Sequence, residues 1–230
     1  MVDLDPIVSS GLNVGVETLL LLPILVALEA ILSADNAVAL AAIARGLADP
    51  RVQRQALNFG LSAAFVLRIL LILTATWVIR YWQVELLGAA YLLWLALQYF
   101  TSEETEEAGK ASHHHWFHSL WQAIPIIAVT DLAFSLDSVT TAIAISDQTW
   151  LVLTGATIGI ITLRFLAGLF IRWLEEYVHL EDAGYLAVAI VGARLLLRVV
   201  APAIVPPEWG MVVLIVLLFS WGFSQRAASS

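Results

Sequence analysis

Glu29-Ala-Ile-Leu-Ser33-Ala-Asp35-Asn36 and Asp131-Leu-Ala-Phe-Ser135-Leu-Asp137-Ser138 share one pattern. An acid is followed by three apolar residues, a serine, another apolar residue, an aspartate and a short polar residue. The second copy begins 102 positions after the first (131 − 29 = 102). Both lie inside long apolar runs. An acidic side chain near the centre of a bilayer costs roughly 2.5–3.5 kcal/mol on the insertion scale, so four facing lipid would cost on the order of 10 kcal/mol. The four must instead face one another, a cavity, an ion or a positive side chain.

The match continues beyond the motif at a displacement of 96 (164 − 68 = 96): Arg68 with Arg164, Tyr81 with Tyr177, Glu85 with Glu181 and Gly88 with Gly184. The six-residue change comes from the connection Arg45-Gly-Leu-Ala-Asp-Pro-Arg-Val-Gln-Arg54, which is longer than its counterpart Ser146-Asp-Gln-Thr149. Each copy carries three apolar spans. An odd number of crossings makes the second copy enter from the opposite face, so the repeats are expected to be inverted, with a site where they meet near the midplane. The fold class is therefore all-α: a polytopic membrane protein of seven transmembrane helices, built as a 3+3 inverted repeat plus one extra helix. Residues 1–230 form a single membrane domain, with repeat 1 over 16–100, a loop over 101–117, repeat 2 over 118–203 and the additional helix over 209–224. The predicted spans are 16–45, 57–79, 84–100, 118–146, 150–172, 184–203 and 209–224. The first and fourth are long for a single crossing, and Pro23, Pro125 and Pro202 lie in or beside spans, where proline often marks a kink.

Composition agrees. Of 230 residues, 60% are hydrophobic and 13% charged, against about a quarter charged in soluble domains; the mean hydropathy is +0.88. The acidic start lacks the basic region of a secretory signal, so the first apolar segment is expected to stay in the mature protein. There is no cysteine, which excludes disulfides and thiolate chemistry. A net charge of −8 argues against nucleic acid as a partner; the lipid bilayer is the expected surroundings. Trp77, Trp82, Trp116, Trp121, Trp150, Trp173, Trp209 and Trp221 fall near predicted span ends, as in an interfacial aromatic belt; Trp94 reads as core filler. Basic residues in short connections (Arg45, Arg51, Arg54, Lys110, Arg172 and Arg226 against Arg80 and Arg198) favour the N-terminus outside and the C-terminus inside.

At about 100° per residue, Glu29, Ser33 and Asn36 share one helix face and Asp35 points about 120° away. Asp131, Ser135 and Ser138 relate to Asp137 in the same way. Convergence of all these groups requires an interruption near Leu-Ser-Ala-Asp and Phe-Ser-Leu-Asp, so a break is predicted in both spans. The candidate metal ligands are Glu29, Asp35, Asn36, Asp131, Asp137 and Ser138, supported by Ser33 and Ser135. An all-oxygen set suits hard cations such as Mg²⁺, Ca²⁺ or Mn²⁺. Arg68 and Arg164, one per repeat, are candidates for balancing the acids and occupying the empty site; a static salt bridge is the plainer reading. Arg194 is matched by Gln98 in repeat 1. Glu85 and Glu181 read as acids at helix starts, where the dipole favours them. The loop from Glu103 to His118 is acidic and histidine-rich, and His113, His114 and His115 could collect metal.

On these residues (Glu29-x-x-x-Ser-x-Asp35-Asn36, Asp131-x-x-x-Ser-x-Asp137-Ser138, Arg68 and Arg164) the sequence resembles the TerC family of membrane proteins, within a broader group that includes LysE-type exporters. The resemblance implies a seven-helix inverted-repeat bundle exporting divalent metal, chiefly manganese. Some relatives are linked to tellurite resistance and a plant relative to thylakoid assembly. The family often has lysine near the positions of Gln98 and Arg194, from which this chain departs.

The expected function is export of Mn²⁺ in exchange for protons, the ion being cargo, with no permanent cofactor and no enzymatic activity. Crowded carboxylates raise one another's pKa once the metal leaves, which is a coupling mechanism. No GxxxxGK[ST] is present, so ion gradients are favoured over ATP. An intramembrane aspartyl protease is disfavoured because Asp35 and Asp137 lack a preceding Gly-x-Gly. Ca²⁺/H⁺ exchange and a membrane-protein insertion or assembly factor are the alternatives. A plasma (inner) or a thylakoid membrane is the expected home.

Overall fold

A computed structural model describes residues 23, 36–78, 80–103, 119–145 and 148–227. Glu29, Ser33, Asp35, His113, His114, His115 and Trp116 lie outside the described residues, as do most of the first span and the acidic, histidine-rich loop. The helices are α1 (Asn36–Arg45), α2 (Pro50–Val78), α3 (Trp82–Glu103), α4 (Leu120–Ile145), α5 (Thr149–Glu176), α6 (Leu180–Val200) and α7 (Glu208–Gly222). A short 3₁₀ turn, Pro202–Ile204, follows α6. Among the described residues there is no strand, only an isolated bridge between Tyr177 and Arg226. Five helices, α2 to α6, are long and apolar enough to cross a membrane. At about 1.5 Å per residue, the 15 residues of α7 extend about 22 Å, short of ~30 Å of hydrocarbon.

The second helix begins earlier than hydropathy alone predicts. Asp49 accepts the Arg51 amide at 2.8 Å and Pro50 occupies the first helical position, where a missing N–H is no loss. The polar stretch Arg51-Val-Gln-Arg54 is thereby helical, and Gln53 reaches back to the Leu47 carbonyl at 2.6 Å.

Burial singles out the helices that carry the duplicated motif. Every residue from Ala37 to Ala44 is at most 2% exposed, so this run of alanines with Val38, Leu40 and Ile43 is enclosed on all sides. Its small side chains let neighbouring backbones approach closely. Of the five long helices α4 is the most buried, 61% of its apolar window against 28% for α3. The outer helices turn large apolar side chains outward, among them Phe59, Leu70 and Leu73 on α2, Leu97 on α3 and Phe165 on α5. Such a surface suits hydrocarbon and would associate in water.

The bundle is built on α2 against α4 and α3 against α6, with α5 beside α2 and α7 beside α6. Two matched glycines fix close approaches. A Cβ on Gly88 of α3 would stand 2.7 Å from Leu136 Cδ1 of α4, and one on Gly184 of α6 would stand 2.9 Å from Val38 Cγ1 of α1. α3 is thus pressed on α4, and α6 on α1.

Two expectations are corrected. The fourth span carries no break: α4 is continuous through Phe-Ser-Leu-Asp. Its hydroxyls turn inward on the helix's own carbonyls, Ser135 Oγ donating to Asp131 O at 2.6 Å and Thr140 Oγ1 to Leu136 O at 2.6 Å, so they satisfy the backbone of a helix rather than start a new one. The corresponding break in the first span falls outside the described residues. Trp94 is not core filler; it is 56% exposed. Trp77, Trp82, Trp121, Trp150, Trp209 and Trp221 are also exposed, whereas Trp173 packs edge-on against Phe170 and Phe223.

Candidate cation site and its guanidinium partners

Because α4 stays helical, its two carboxylates remain angularly apart, and each meets a different neighbour. Asp131, wholly buried, faces α2: Arg68 Nη2 donates to Oδ1 and Oδ2, both at 3.2 Å. Arg68 is 1% exposed, one of the largest side chains enclosed in the bundle. Ser135 adds a longer contact to Asp131 Oδ2 at 3.4 Å. Asp137 faces α6: Arg194 Nη1 bonds Oδ2, and Arg198 Nη1 bonds Oδ1 at 2.5 Å. The two arginines stand one turn apart on the same face of α6. Arg194 is buried and Arg198 is 24% exposed at its side chain.

Asn36 and Ser138 are buried as well; Ser138 Oγ lies 3.5 Å from the Ser135 carbonyl, a marginal bond. Beside Asp131, the buried Thr130 hydroxyl meets Tyr91 Oη at 2.8 Å. Arg164 takes no part in this group. Its Nε donates to Asn58 Oδ1 across the α2–α5 contact at 2.5 Å, on a partly exposed face. The described residues therefore bring Asp131, Ser135 and Arg68 together, and Asp137 with Arg194 and Arg198. They do not bring Asp131 and Asp137 to one point.

Among the described residues no three His, Asp or Glu side chains cluster closely enough to hold a metal. Chemically the site consists of buried anions with buried cations already against them. A hard cation entering it would exchange with a guanidinium for the same oxygens.

Sequence reasoning missed several polar contacts. Arg198 counted only as a charge near a helix end, yet its spacing four residues after Arg194 was the signal that both could reach one carboxylate. Glu181 and Asp182 do lie in the first turn of α6, and Glu85 in that of α3. Glu181 also pairs with Arg45 at 2.9 Å, and Asp182 accepts the Tyr99 hydroxyl at 2.7 Å. Nothing in the local pattern pointed to those partners, which arrive from 136 and 83 residues away.

Apolar helices packed around carboxylates and guanidiniums that cannot face lipid define a polytopic membrane protein with a charged interior. The chain belongs to the TerC family of integral membrane proteins, whose family model matches residues 14–229. It is 33% identical over 176 residues to the Bacillus subtilis membrane protein YceF, a match covering 74% of this chain and 68% of that protein. It is 30% identical over 200 residues to YkoY of the same organism, covering 77% and 60% respectively. The thylakoid membrane protein TERC of Arabidopsis thaliana is 24% identical over 198 residues, covering 74% of this chain and 52% of the plant protein. No solved structure matches.

Proposed function

We propose that the chain is a secondary exporter of a hard divalent cation, Mn²⁺ being the preferred cargo, in exchange for protons. The observation that carries this reading is the placement of Asp131 and Asp137, buried in the most enclosed long helix and each held by guanidiniums from a different neighbouring helix. In the resting state the arginines stand in for the cargo. On loading, Asp131, Asp137 and Ser138 join Glu29, Asp35 and Asn36 around the ion, and Arg68, Arg194 and Arg198 give up their carboxylates. Unloaded carboxylates crowded together favour protonation, which gives the return path for protons.

In this reading seven helices form a 3+3 inverted repeat with one extra helix. The pairing of α3 with α6, and of Gly88 and Gly184 with the first helix of the opposite repeat, supports that architecture. The N-terminus lies outside and the C-terminus in the cytoplasm, in a plasma (inner) or thylakoid membrane. Arg164, bonded to Asn58, lies outside the ion path in the resting state, and His113, His114 and His115 collect metal on the cytoplasmic side.

A second reading has an observation of its own in its favour: Asp131 and Asp137 are already neutralised, so the pairs can serve simply as locks between helices. Efflux from cells loaded with Mn²⁺ separates the two. Under the exporter reading Asp131→Asn and Asp35→Asn stop efflux, and so does the paired change Arg68→Met with Asp131→Leu. A buried ion pair can be exchanged for apolar residues of similar volume with little or no loss of stability. A lock therefore survives the paired change with efflux intact, and that result would remove Asp131 from the ion site, whereas no Mn²⁺ efflux beyond that of cells lacking the chain would sink the exporter. Repeating the assay with Ca²⁺ ranks the cargo.

A further inference from the structure

Arg45, at the C-terminal end of α1, reaches two other helices at once. Its Nη1 donates to Glu181 Oε2 in the first turn of α6 at 2.9 Å and to the Leu174 carbonyl in the last turn of α5 at 2.7 Å. That carbonyl is one of those a helix end leaves without an intrahelical donor. The same α5–α6 connection is also held by the residues that follow α7. Ala227 N donates to Glu176 O at 2.8 Å and Val178 N to Gln225 O at 3.1 Å. The Arg226 guanidinium donates to the Tyr177 hydroxyl at 3.0 Å, and Phe223 packs edge-on against the Tyr177 ring. Residues 223–227 therefore form a strap across the connection that Arg45 grips.

The opposite face is built differently. The 28 residues of α5 extend about 42 Å, so the start of α5, with the end of α4 just before it, lies on the far side from the strap. At the displacements of the repeat, Arg45 is matched by Asp147 (45 + 102) and Glu181 by Glu85 (181 − 96). Where one face has an acid and a guanidinium, the other has two acids. Among the described residues Glu85 makes no ion pair. Burial follows the same asymmetry. Residues 38–41 near the end of α1 are at most 1% exposed, whereas their matches 140–143 in α4 are all partly exposed.

We propose that Arg45 is a latch that, together with the strap after α7, holds one face of the bundle shut. Its release from Glu181 and Leu174 lets the end of α1 part from the α5–α6 connection. A mostly apolar cavity of about 110 Å³ lies just inside, with Ala42, Ile43, Gly46 and Glu181 in its wall, and opening would join that space to water. The latch stands whatever the interior carries; only its role in admitting ions to Asp131 and Asp137 rests on the exporter reading. A latch acts on one face. A contact that merely adds stability to the whole bundle loosens both faces when it is lost.

The chain has no cysteine, so a single introduced thiol reports opening. Ala42→Cys places it in the cavity wall on the latched face. Ala75→Cys places it in the last turn of α2 on the opposite face, at a residue 1% exposed. The purified full chain is treated with a water-soluble maleimide, and each rate is read against that of the denatured protein. Both thiols are expected to react slowly. Arg45→Gln and Glu181→Gln are each expected to speed labelling of Ala42→Cys about tenfold, the lower end for a hydrogen bond to a charged group, and to leave Ala75→Cys unchanged. Tyr177→Phe takes the acceptor from Arg226 but keeps the ring; the contact is exposed, so an acceleration of about twofold at Ala42→Cys is expected. Unchanged labelling of Ala42→Cys in both charge variants overturns the latch. So does equal acceleration at the two positions, which marks general loosening. If neither charge variant folds, no acceleration in Tyr177→Phe overturns it alone. Efflux keeps the two ideas apart: one-sided acceleration in a chain that moves no Mn²⁺ removes the exporter and leaves the latch standing, whereas efflux with unchanged labelling removes the latch and leaves the exporter.

Discussion

Arg68 and Arg164 occupy matched positions in the two halves of the sequence, yet they live in different environments. Arg68 is enclosed between α2 and α4 with both oxygens of Asp131 in reach of one nitrogen. Arg164 reaches instead across to Asn58, an amide on an exposed face of α2. The duplication preserved the charge but not its partner. Asp137 extends the contrast. Both its guanidiniums come from α6, and the matched positions on α3 are Gln98 (194 − 96) and Ser102 (198 − 96), so α3 has no arginine to offer Asp35. Two halves alike in sequence pattern therefore differ, among the described residues, in where counter-charge is fixed.

The contrast breaks or holds first at the arginines. Removing one partner of a buried ion pair leaves an uncompensated charge and costs about 3–5 kcal/mol. Arg68→Gln is expected to show that loss in thermal or denaturant unfolding of the purified protein. Arg164→Gln, on a partly exposed face with a neutral partner, is expected to cost about 1 kcal/mol or less. Similar losses for the two would mean that the halves are equivalent after all.

Asp137 sharpens the comparison, because it has a reserve. With two guanidiniums on one carboxylate, loss of Arg198 still leaves Arg194 in place, and the partly exposed Arg198 is the cheaper to lose. Arg198→Gln is expected to cost about 1 kcal/mol and Arg194→Gln more. The double change is expected to exceed the sum of the two by about 0.5–3 kcal/mol, the range for residues sharing one partner, since only then is Asp137 stranded. Unfolding of the four proteins in a double-mutant cycle measures it; strict additivity would mean that the two arginines act on separate groups.

Much of the architecture was legible in advance. Span length and apolar composition marked seven spans, of which five are helices long and apolar enough to cross a membrane among the described residues, and insertion cost required intramembrane acids to find partners. Depth named Arg68 and Arg164 alike as those partners, and of the two Arg68 meets an acid while Arg164 bonds Asn58. The choice of partners was not legible. The 120° between Asp131 and Asp137 was read as a gap that a broken helix had to close, because convergence on one ion was assumed. An unbroken helix uses the same angle to face α2 on one side and α6 on the other. Ser135 misled for a related reason: its hydroxyl can open a helix or bond back to the carbonyl one turn earlier, and local sequence does not choose between them. Trp94 misled because mid-helix tryptophan reads as core in water, whereas in a membrane the outer surface is also apolar.

The close approaches of Gly88 and Gly184 give a test that involves no charge. In both cases the atom in the way belongs to a side chain, a terminal methyl of Leu136 or a γ-methyl of Val38. Leucine can move that methyl by changing rotamer, whereas a β-branched valine in a helix is held near one χ1. Gly184→Ala is therefore expected to cost about 1–3 kcal/mol as overpacking, with Gly88→Ala the milder of the two. The reverse order would mean that α3 against α4 is the tighter contact.

The smallest effect is expected at Asn58, and it bears directly on why Arg164 differs from Arg68. Asn58→Ala removes the amide oxygen from the guanidinium, but the face is exposed and other acceptors can approach, so the loss is expected to be about 0.5–1 kcal/mol. Asn58→Asp goes the other way and gives Arg164 the carboxylate that its counterpart already has. Solvent-accessible pairs of this kind contribute only about 0.2–1 kcal/mol, and salt should diminish the gain. Unfolding of both variants at low and high salt reads the difference. A gain as large as the Arg68–Asp131 loss, insensitive to salt, would mean that Arg164 is as shielded as Arg68 and that burial does not distinguish the two halves.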